Sequence, residues 1–501
     1  MNRRVALACV AACVLLAVAY VSARESNSDE PARSGQSAVD RTIVSAETGT
    51  SSDTAKGATA PADARPVRQR AVDLSREYLE CEDDSRRRQL SQSLAAFDDD
   101  IDGVLAQLQR QEFKPVDTGY HAKQHFSMAR LAEKHADDLL YFYVPESYRP
   151  DRPSGLVIVM HGGGRRSERE RPGYFMSFPG EGESDTQFGH TLDNLNMVIV
   201  GPSAPWDEQS AYRWCLVRPD EQDEYLSDVI LECKARFNID PDRVFLVGHS
   251  MGGFGAFHQI QRQPDRFSAV VANAGAWYLA HWPVIRGTPL CIIHGTRDAD
   301  RGTHYTDFEY ARLTDELLTH YELDHVFIKR DGGHELYRDE IRDYLKSAAD
   351  VRRNPYSAHV TLASPVGFKE SRWYLAPVKH NRWVTLEEQT DGDLEYDRTD
   401  EWDGRDFRLN HRKTKRRGGS IDAENHGGNV ISVTTRNVAR FSIWLHPRMV
   451  DVRRAVTVTV NGQRAFSGPV KPSLATALDS YARRSDWGLI YPIRLELTGK
   501  P

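Results

Sequence analysis

Between about Thr118 and Asp350 the chain alternates short apolar runs with longer stretches in which apolar positions recur every three or four residues. The runs fit strands buried on both faces and the longer stretches fit amphipathic helices. Their alternation is the pattern of a mainly parallel sheet with helices on both sides. Strands are predicted at Leu139–Val144, Gly155–Met160, Met197–Gly201, Val244–Gly248, Phe267–Asn273, Pro289–His294 and His325–Lys329. Helices are predicted at Glu221–Phe237, Gly252–Gln263, Tyr305–Tyr321 and Leu336–Ala348. Upstream, from Ala71 to about Gln111, Leu90, Leu94, Phe97, Ile101, Leu105 and Leu108 keep a helical spacing that predicts an amphipathic helix propped on the domain that follows. From about Asn354 to Pro501 that spacing nearly vanishes. Short alternating runs take over at His359–Ala363, Arg372–Leu375, Arg382–Leu386, Val430–Thr435, Ala439–Leu445, Ala455–Val460 and Ile490–Leu497. With Asn461-Gly462 as a type I′ hairpin signal and one helix at Pro472–Arg484, this region predicts a β-sandwich.

A chain of 501 residues has room for about three such units. Its 40% hydrophobic and 27% charged residues exclude both a chain disordered throughout and a polytopic membrane protein. A net charge of −7 leaves no global basic field, so nucleic acid is not an expected partner. Residues 1–23 read as a signal peptide: Arg3 and Arg4, an apolar run from Val5 to Val21, and small residues at Val21-Ser22-Ala23 for cleavage. Export is expected, with membrane attachment only if this segment stays uncleaved. Residues 24–70 lack aromatics and are rich in Ser, Thr, Ala, Asp, Pro and Gly, the composition of a disordered tether. Beyond the signal, Cys81, Cys215, Cys233 and Cys291 form no C-x-x-C pair, so neither zinc nor a redox role is expected. Cys215 and Cys233 are the nearest pair, and spacing does not say whether they are bridged.

One junction carries chemistry. The buried run Arg243-Val244-Phe245-Leu246-Val247 leads into Gly248-His249-Ser250-Met251-Gly252-Gly253 and then into a helix. G-x-S-x-G between strand and helix presents a strained serine whose hydroxyl is exposed, with a helix N-terminus beneath it to favour negative charge. A serine needs a base, and the base needs an acid to fix its tautomer. Downstream strand ends supply both: His294-Gly295-Thr296-Arg297-Asp298, then Asp331-Gly332-Gly333-His334. Ser250, Asp298 and His334 are the expected nucleophile, acid and base. Asp300 is the rival acid, and His304, His320 and His325 are rival bases. His161-Gly162-Gly163-Gly164 after an earlier strand can offer the backbone amides of Gly162 and Gly163 to an oxyanion, with that of Met251 as the second donor. No Gly-Lys-Ser/Thr follows those glycines and His334-Glu335 lacks a second histidine at 338, so neither a nucleotide loop nor a zinc helix is expected. His161, His249 and His294 are read as structural.

Taken together, GHSMGG, HGGG, HGTRD and GGH, with Asn238-Ile239-Asp240-Pro241-Asp242-Arg243 leading into the elbow, resemble the α/β-hydrolase superfamily. Within it the likeness is to secreted esterases of the feruloyl esterase, polyhydroxybutyrate depolymerase and esterase D type, often grouped with prolyl oligopeptidase-like hydrolases. The resemblance covers about Thr118 to Asp350. It implies ester hydrolysis through an acyl-enzyme, without metal or cofactor. Composition and periodicity divide the chain into a signal peptide (1–23), a linker (24–70), a helical segment (71–117), an α/β-hydrolase domain (118–350) and a β-rich accessory domain (351–501). Small esters or polymer-linked esters are the expected substrates. Phe175, Phe178, Trp206 and Trp214 are candidate pocket walls, beside Tyr174 and Met176 in the long stretch 165–195. Trp373, Trp383 and Trp402, with the basic loop Arg412–Arg417, could let the C-terminal region touch a polysaccharide or an acidic polymer, against the plainer reading of core tryptophans and a solvated loop. Two other functions compete. A prolyl oligopeptidase-like peptidase gates its substrate with a large N-terminal propeller, whereas about 50 residues of helical pattern are expected before the hydrolase region here, and a non-catalytic binding protein on a hydrolase scaffold would have no need of a complete site.

Overall fold

Residues 67–108 do not form the single helix that the apolar spacing suggests. They form α1 (Val67–Glu80), α2 (Asp84–Leu94), a 3-10 turn (Ala95–Asp100) and α3 (Ile101–Leu108). Asp83 caps α2 by accepting from the Arg86 amide at 2.6 Å, which sets a break that the spacing of leucines cannot reveal. α1 starts inside the stretch expected to be a tether. The computed structural model describes residues 66–163, 168–175, 189–207, 211–212, 214, 219–298, 306–365, 378, 380–403 and 407–499, all within one compact unit. The expected signal peptide, residues 24–65 of the linker, Cys215, the run Arg372–Leu375 with Trp373, Phe178, Asp300 and His304 lie outside the described residues.

In chain order the next elements are β1 (Gly119–Gln124), α4 (Ala129–Lys134), β2 (Leu140–Val144), β3 (Ser154–Met160), α5 (Arg171–Phe175), β4 (Met197–Pro202) and the short pair β5 (Trp206–Asp207) and β6 (Ala211–Tyr212). They continue with α6 (Pro219–Arg236), β7 (Ile239–His249), α7 (Met251–Arg262), β8 (Ala269–Asn273), β9 (Leu279–Ala280), β10 (Leu290–Gly295), α8 (Phe308–His320), β11 (His325–Arg330) and α9 (Arg338–Ser347). Eight strands form one sheet in the order β1-β2-β4-β3-β7-β8-β10-β11. β1 and β2 run antiparallel and the six from β4 to β11 are parallel. This is the α/β-hydrolase architecture expected from the sequence. The period of two in a strand divides its side chains between two cores. Leu156, Ile158, Val244, Leu246, Val270 and Ile292 face one side with Phe254 and Ile260 of α7. Val157, Val159, Phe245, Val247, Val271 and Ile293 face the other with Ile341 and Leu345 of α9. Sealing both faces leaves the ends of the strands as the place where polar chemistry can gather.

The remainder is β-rich: β12 (His359–Pro365), β13 (His380–Asn381), β14 (Val384–Gln389), β15 (Asp393–Asp403), β16 (Phe407–Asn425), β17 (Val430–Arg436), β18 (Val438–Leu445), β19 (Val456–Val460), β20 (Gln463–Gly468), α10 (Leu474–Arg484) and β21 (Ile493–Thr498). Ile421, Val433 and Val458 from one sheet share a core with Val384, Ile443 and Ile493 from the other, which gives the sandwich its filling. Asn461 and Gly462 both have positive φ, as a type I′ turn requires. Arg412–Arg417 is no loop: these residues lie within β16, paired across to β15. Trp383 is buried and donates to the Ser357 carbonyl at 2.7 Å, so it offers no face to a sugar. The side chain of Trp402 lies outside the described residues.

Backbone pairing and helix packing both help to bind these parts. β15 pairs with β9, so a sheet of the sandwich extends onto the hydrolase. The helices α1 to α3 dock on α10 rather than on the following domain: Leu94, Phe97 and Val104 pack with Leu474 and Leu478, and Asp98 accepts from the Leu474 amide at 2.9 Å, capping α10.

Candidate active site

At the carboxyl end of β7 the chain turns through Ser250, with φ 54° and ψ −116°, and enters α7 at Met251. A non-glycine residue held there is strained, and its neighbours enforce the turn. The Ser250 amide donates to the Asn273 carbonyl at 2.9 Å, and the Phe254 amide donates to the Ser250 carbonyl at 3.0 Å. A Cβ on Gly248 would stand 2.0 Å from the Gly252 oxygen, and one on Gly252 would stand 2.0 Å from the Met160 oxygen. The two glycines flanking the serine are therefore steric requirements of this turn.

Two loops bring the other groups. After β10 the Thr296 amide donates to the Arg330 carbonyl and the Arg297 amide to the Gly332 carbonyl, each at 2.9 Å. The loops after β10 and β11 are thereby clipped together, and Asp298 faces His334. His334 Nδ1 lies 2.9 Å from Asp298 Oδ2, and His334 Nε2 lies 2.7 Å from Ser250 Oγ. Burial alone would raise the Asp298 carboxyl, but hydrogen bonds from His294 and His334 outweigh it and hold the group well below the usual carboxylate range. Thr306 Oγ1 donates to Asp298 Oδ1 at 3.0 Å, and His294 Nε2 lies 3.1 Å from Asp298 Oδ2. The acid is thus ionised and fixed from three directions.

Of the rival bases that are described, His320 is exposed at the end of α8, and His325 is occupied by Asp315 at 3.1 Å. His161 is buried with ring nitrogens 2.8 Å from the Gly162 carbonyl and 3.0 Å from the Ser203 carbonyl, as a structural residue should be. His249 Nδ1 lies 3.0 Å from Asn273 Oδ1. Desolvation, then the nearby His334, pushes His249 down to about 3, so it is neutral near pH 7. Asn273 escaped the sequence reading: it closes an apolar run on β8, and its backbone oxygen, Oδ1 and Nδ2 engage Ser250, His249 and the Ile293 carbonyl respectively. A buried asparagine ending a strand run was the available signal. Thr306 had none, since nothing in the residues around it marks it.

The cleft over Ser250 has a volume of about 470 Å³ and is lined by Gly162, Gly163, Tyr174, His334, Leu336 and two arginines, among others. Gly162 approaches closely enough that an added Cβ would lie 3.4 Å from the Ser250 Cβ, which places the glycine loop beside the serine. Trp214 is not part of this wall. It is buried in the core, 6.0 Å from the His161 ring and 6.0 Å from the Tyr225 ring. Trp206 is half-exposed but lies outside the lining. Phe175 closes α5 and its side chain lies outside the described residues; Arg171 and Tyr174 of α5 line the cleft.

Residues 137–302 match the Esterase family model. A bifunctional acetylxylan esterase/xylanase of Neocallimastix patriciarum is 25% identical over 164 residues, which are 32% of this chain. The chain spans only 21% of that relative's length. Among solved structures, an S-formylglutathione hydrolase of Staphylococcus aureus aligns over 47% of this chain and 100% of its own, at 15% identity and TM-score 0.33. A poly(3-hydroxybutyrate) depolymerase of Bordetella parapertussis aligns over 46% of this chain and 89% of its own, at 20% identity and TM-score 0.33. Over residues 137–302 the chain is thus similar to the Esterase family.

Proposed function

We propose that the chain is an exported serine hydrolase that cleaves carboxylic esters through an acyl-enzyme. Support comes above all from one arrangement: a strained serine whose Oγ is 2.7 Å from His334 Nε2, with Asp298 behind the same imidazole. In this reading His334 takes the Ser250 proton as Oγ attacks the ester carbonyl. The amide of Met251 and that of Gly162 or Gly163 bind the oxyanion. Asp298 stays ionised and stabilises the imidazolium. His334 then hands the proton to the leaving alcohol, and water enters by the same route to release the acid. Export rests on the N-terminal pattern of residues 1–23. A polysaccharide-linked ester as the natural substrate is supported by the acetylxylan esterase named for the relative and by the open cleft.

The test uses the full chain with short-chain aryl esters and a fluorophosphonate probe. Wild-type protein should turn over the ester and be labelled at Ser250. Ser250→Ala should lose labelling and, on the order of 10⁴ to 10⁶-fold, turnover, while keeping its melting temperature. Equal activity in the variant would end this reading. Recovery of the chain with residues 1–23 removed, outside the cytoplasm, would support export, and retention of an intact chain inside would refute it.

A further inference from the structure

The cleft that holds Ser250 also holds two cations. Arg171 is the first residue of α5 and Arg338 the first of α9, and both line the cleft. The Nε of each is buried without a partner, and no ion pair or side-chain hydrogen bond to a described residue occupies either guanidinium. The acids beside them are taken. Glu170 pairs with Lys123 at 3.2 Å, Asp339 with Arg342 at 2.6 Å and Glu340 with Arg330 at 2.7 Å. Arg338 also opens a ten-residue helix, the end where the macrodipole disfavours a cation. Its burial adds to the cost, lowering its basicity. Tyr174 opposes this shift without outweighing it, and no carboxylate among the described residues pairs with either guanidinium. The acidic side chain in the lining, Glu335, accepts from the Gly333 amide at 3.2 Å instead.

We propose that Arg171 and Arg338 form a subsite for a carboxylate carried by the ester substrate close to the bond that is cleaved. The proposal rests on the reading of Ser250 as nucleophile, and it narrows the substrate to acidic esters. A guanidinium presents paired donors that match the two oxygens of a carboxylate. Glu335 in the same cleft repels a doubly charged phosphate more than a singly charged carboxylate, so the carboxylate fits better. Tyr174 and Leu336 supply surface for the carbon chain or ring that bears it. Esters of an acidic sugar and half-esters of a dicarboxylic acid both have this chemistry.

Two substrate pairs, each an acid and its methyl ester, test both sides of the scissile bond: 4-methylumbelliferyl hydrogen adipate for the acyl side and 3-acetoxybenzoate for the alcohol side. With full-length protein, kcat/KM should favour the acid by about tenfold or more in one pair, chiefly through KM, and high salt should shrink the preference. Arg338→Gln and Arg171→Gln should cut the acid-to-methyl-ester ratio by about tenfold, and Arg338→Lys should retain part of it. A ratio near one in both pairs, or one unchanged by the glutamine variants, would overturn the subsite. If neither pair is hydrolysed, the nucleophile reading fails instead, and calorimetric titration of Ser250→Ala with the same compounds decides the subsite alone. Binding of an acid that is lost in the double variant Ser250→Ala, Arg338→Gln upholds it, and equal binding of acid and methyl ester refutes it.

Discussion

Asp298–His334 and Asp265–His380 are two buried aspartate–histidine pairs of nearly equal geometry, 2.9 and 2.7 Å apart. Asp298 follows the carboxyl end of β10, where the imidazole's other nitrogen reaches a serine and an open cleft. Asp265 sits in the 3-10 turn before β8, at the opposite end of the sheet, where its Oδ2 also accepts from the Arg382 amide at 3.1 Å. Around that second pair Arg353 bonds Asp486 at 2.8 Å and donates to the Asp265 carbonyl at 2.8 Å, and Arg382 donates to the carbonyls of Arg286 and Gly287. In both pairs burial would raise the carboxyl, and the positive or hydrogen-bonding neighbours hold it well below the usual range. The same ion chemistry therefore fastens the hydrolase to the sandwich at one edge and faces a nucleophile at the other. What the second nitrogen and the adjoining space contain decides which.

The largest way to break this comparison is to remove the sandwich. Truncation after Arg353 deletes the two groups bonded to the Asp265 carboxylate, His380 and the Arg382 amide, together with the strand paired with β9 and the helix that carries the α1 to α3 docking surface. The shortened chain should be insoluble or lose its cooperative thermal transition, taking activity on small esters with it. A soluble fragment with normal kcat would mean that the seam is dispensable and the sandwich a separable module.

Next in size is the acid beside the cleft. Asp298→Asn should lower kcat by about 10⁴-fold, since the amide cannot hold the tautomer or balance the imidazolium, with a modest change in melting temperature. Asp265→Asn should do the reverse, lowering the melting temperature while kcat per folded molecule stays within about twofold. Similar kcat losses in both would erase the distinction between the edges.

A third measurement concerns the seam's central carboxylate. Asp486 bonds Arg353, both deeply buried, and lies 3.3 Å from the partly buried Lys234. Asp486→Ala leaves cations without their anion and should cost about 3 to 5 kcal/mol in denaturant unfolding. A cost under about 1 kcal/mol would show that water or a rearranged side chain replaces the carboxylate.

These contrasts also explain what the sequence could and could not reveal. The hydrolase strands and the triad candidates were legible because they rest on local patterns: apolar runs, glycines around Ser250, and an acid and a base on loops just past strand ends. The seam was not legible. β9 is two residues long, and its pairing with Asp397 and Arg398 joins segments far apart in the chain, so no periodicity announces it. The basic run Arg412–Arg417 looked like a solvated loop because charge ordinarily marks one, yet it lies in β16 and pairs with Asp393–Arg398 of β15. The arginines of the cleft were missed for a similar reason. Their meaning lies in the absence of a partner, which only three dimensions display.

The smallest expected effect lies in the pH dependence of stability, to which a buried histidine at each edge contributes. His249, beneath the cleft, is held down to about 3 by desolvation and by His334, with Arg338 adding to this and Asn273 and Asp298 opposing it. An unfolded histidine titrates near 6.5, roughly. Above that value the ring is neutral in both states and contributes nothing to the pH dependence. As pH falls below it, the unfolded chain takes up a proton that the folded chain refuses, so folding stability declines until the folded ring itself titrates near 3. The slope from this one ring is at most about 1.4 kcal/mol per pH unit, and less to the extent that the ring keeps some water. Asp298 and Asp265 add their own losses only lower, below the unfolded aspartate value of about 3.9, because their folded forms are depressed. Melting temperatures measured between pH 7 and 4.5 isolate the histidine window. His249→Gln should flatten that curve in part, since burial also lowers His281, His380 and His446; His380→Gln, at the seam, should remove its own share of the slope and in addition lower the curve even at pH 7 through the lost bond to Asp265. An unaltered slope in His249→Gln would show that the ring is protonated in the folded chain, and the neutral floor assigned to the cleft would then be wrong.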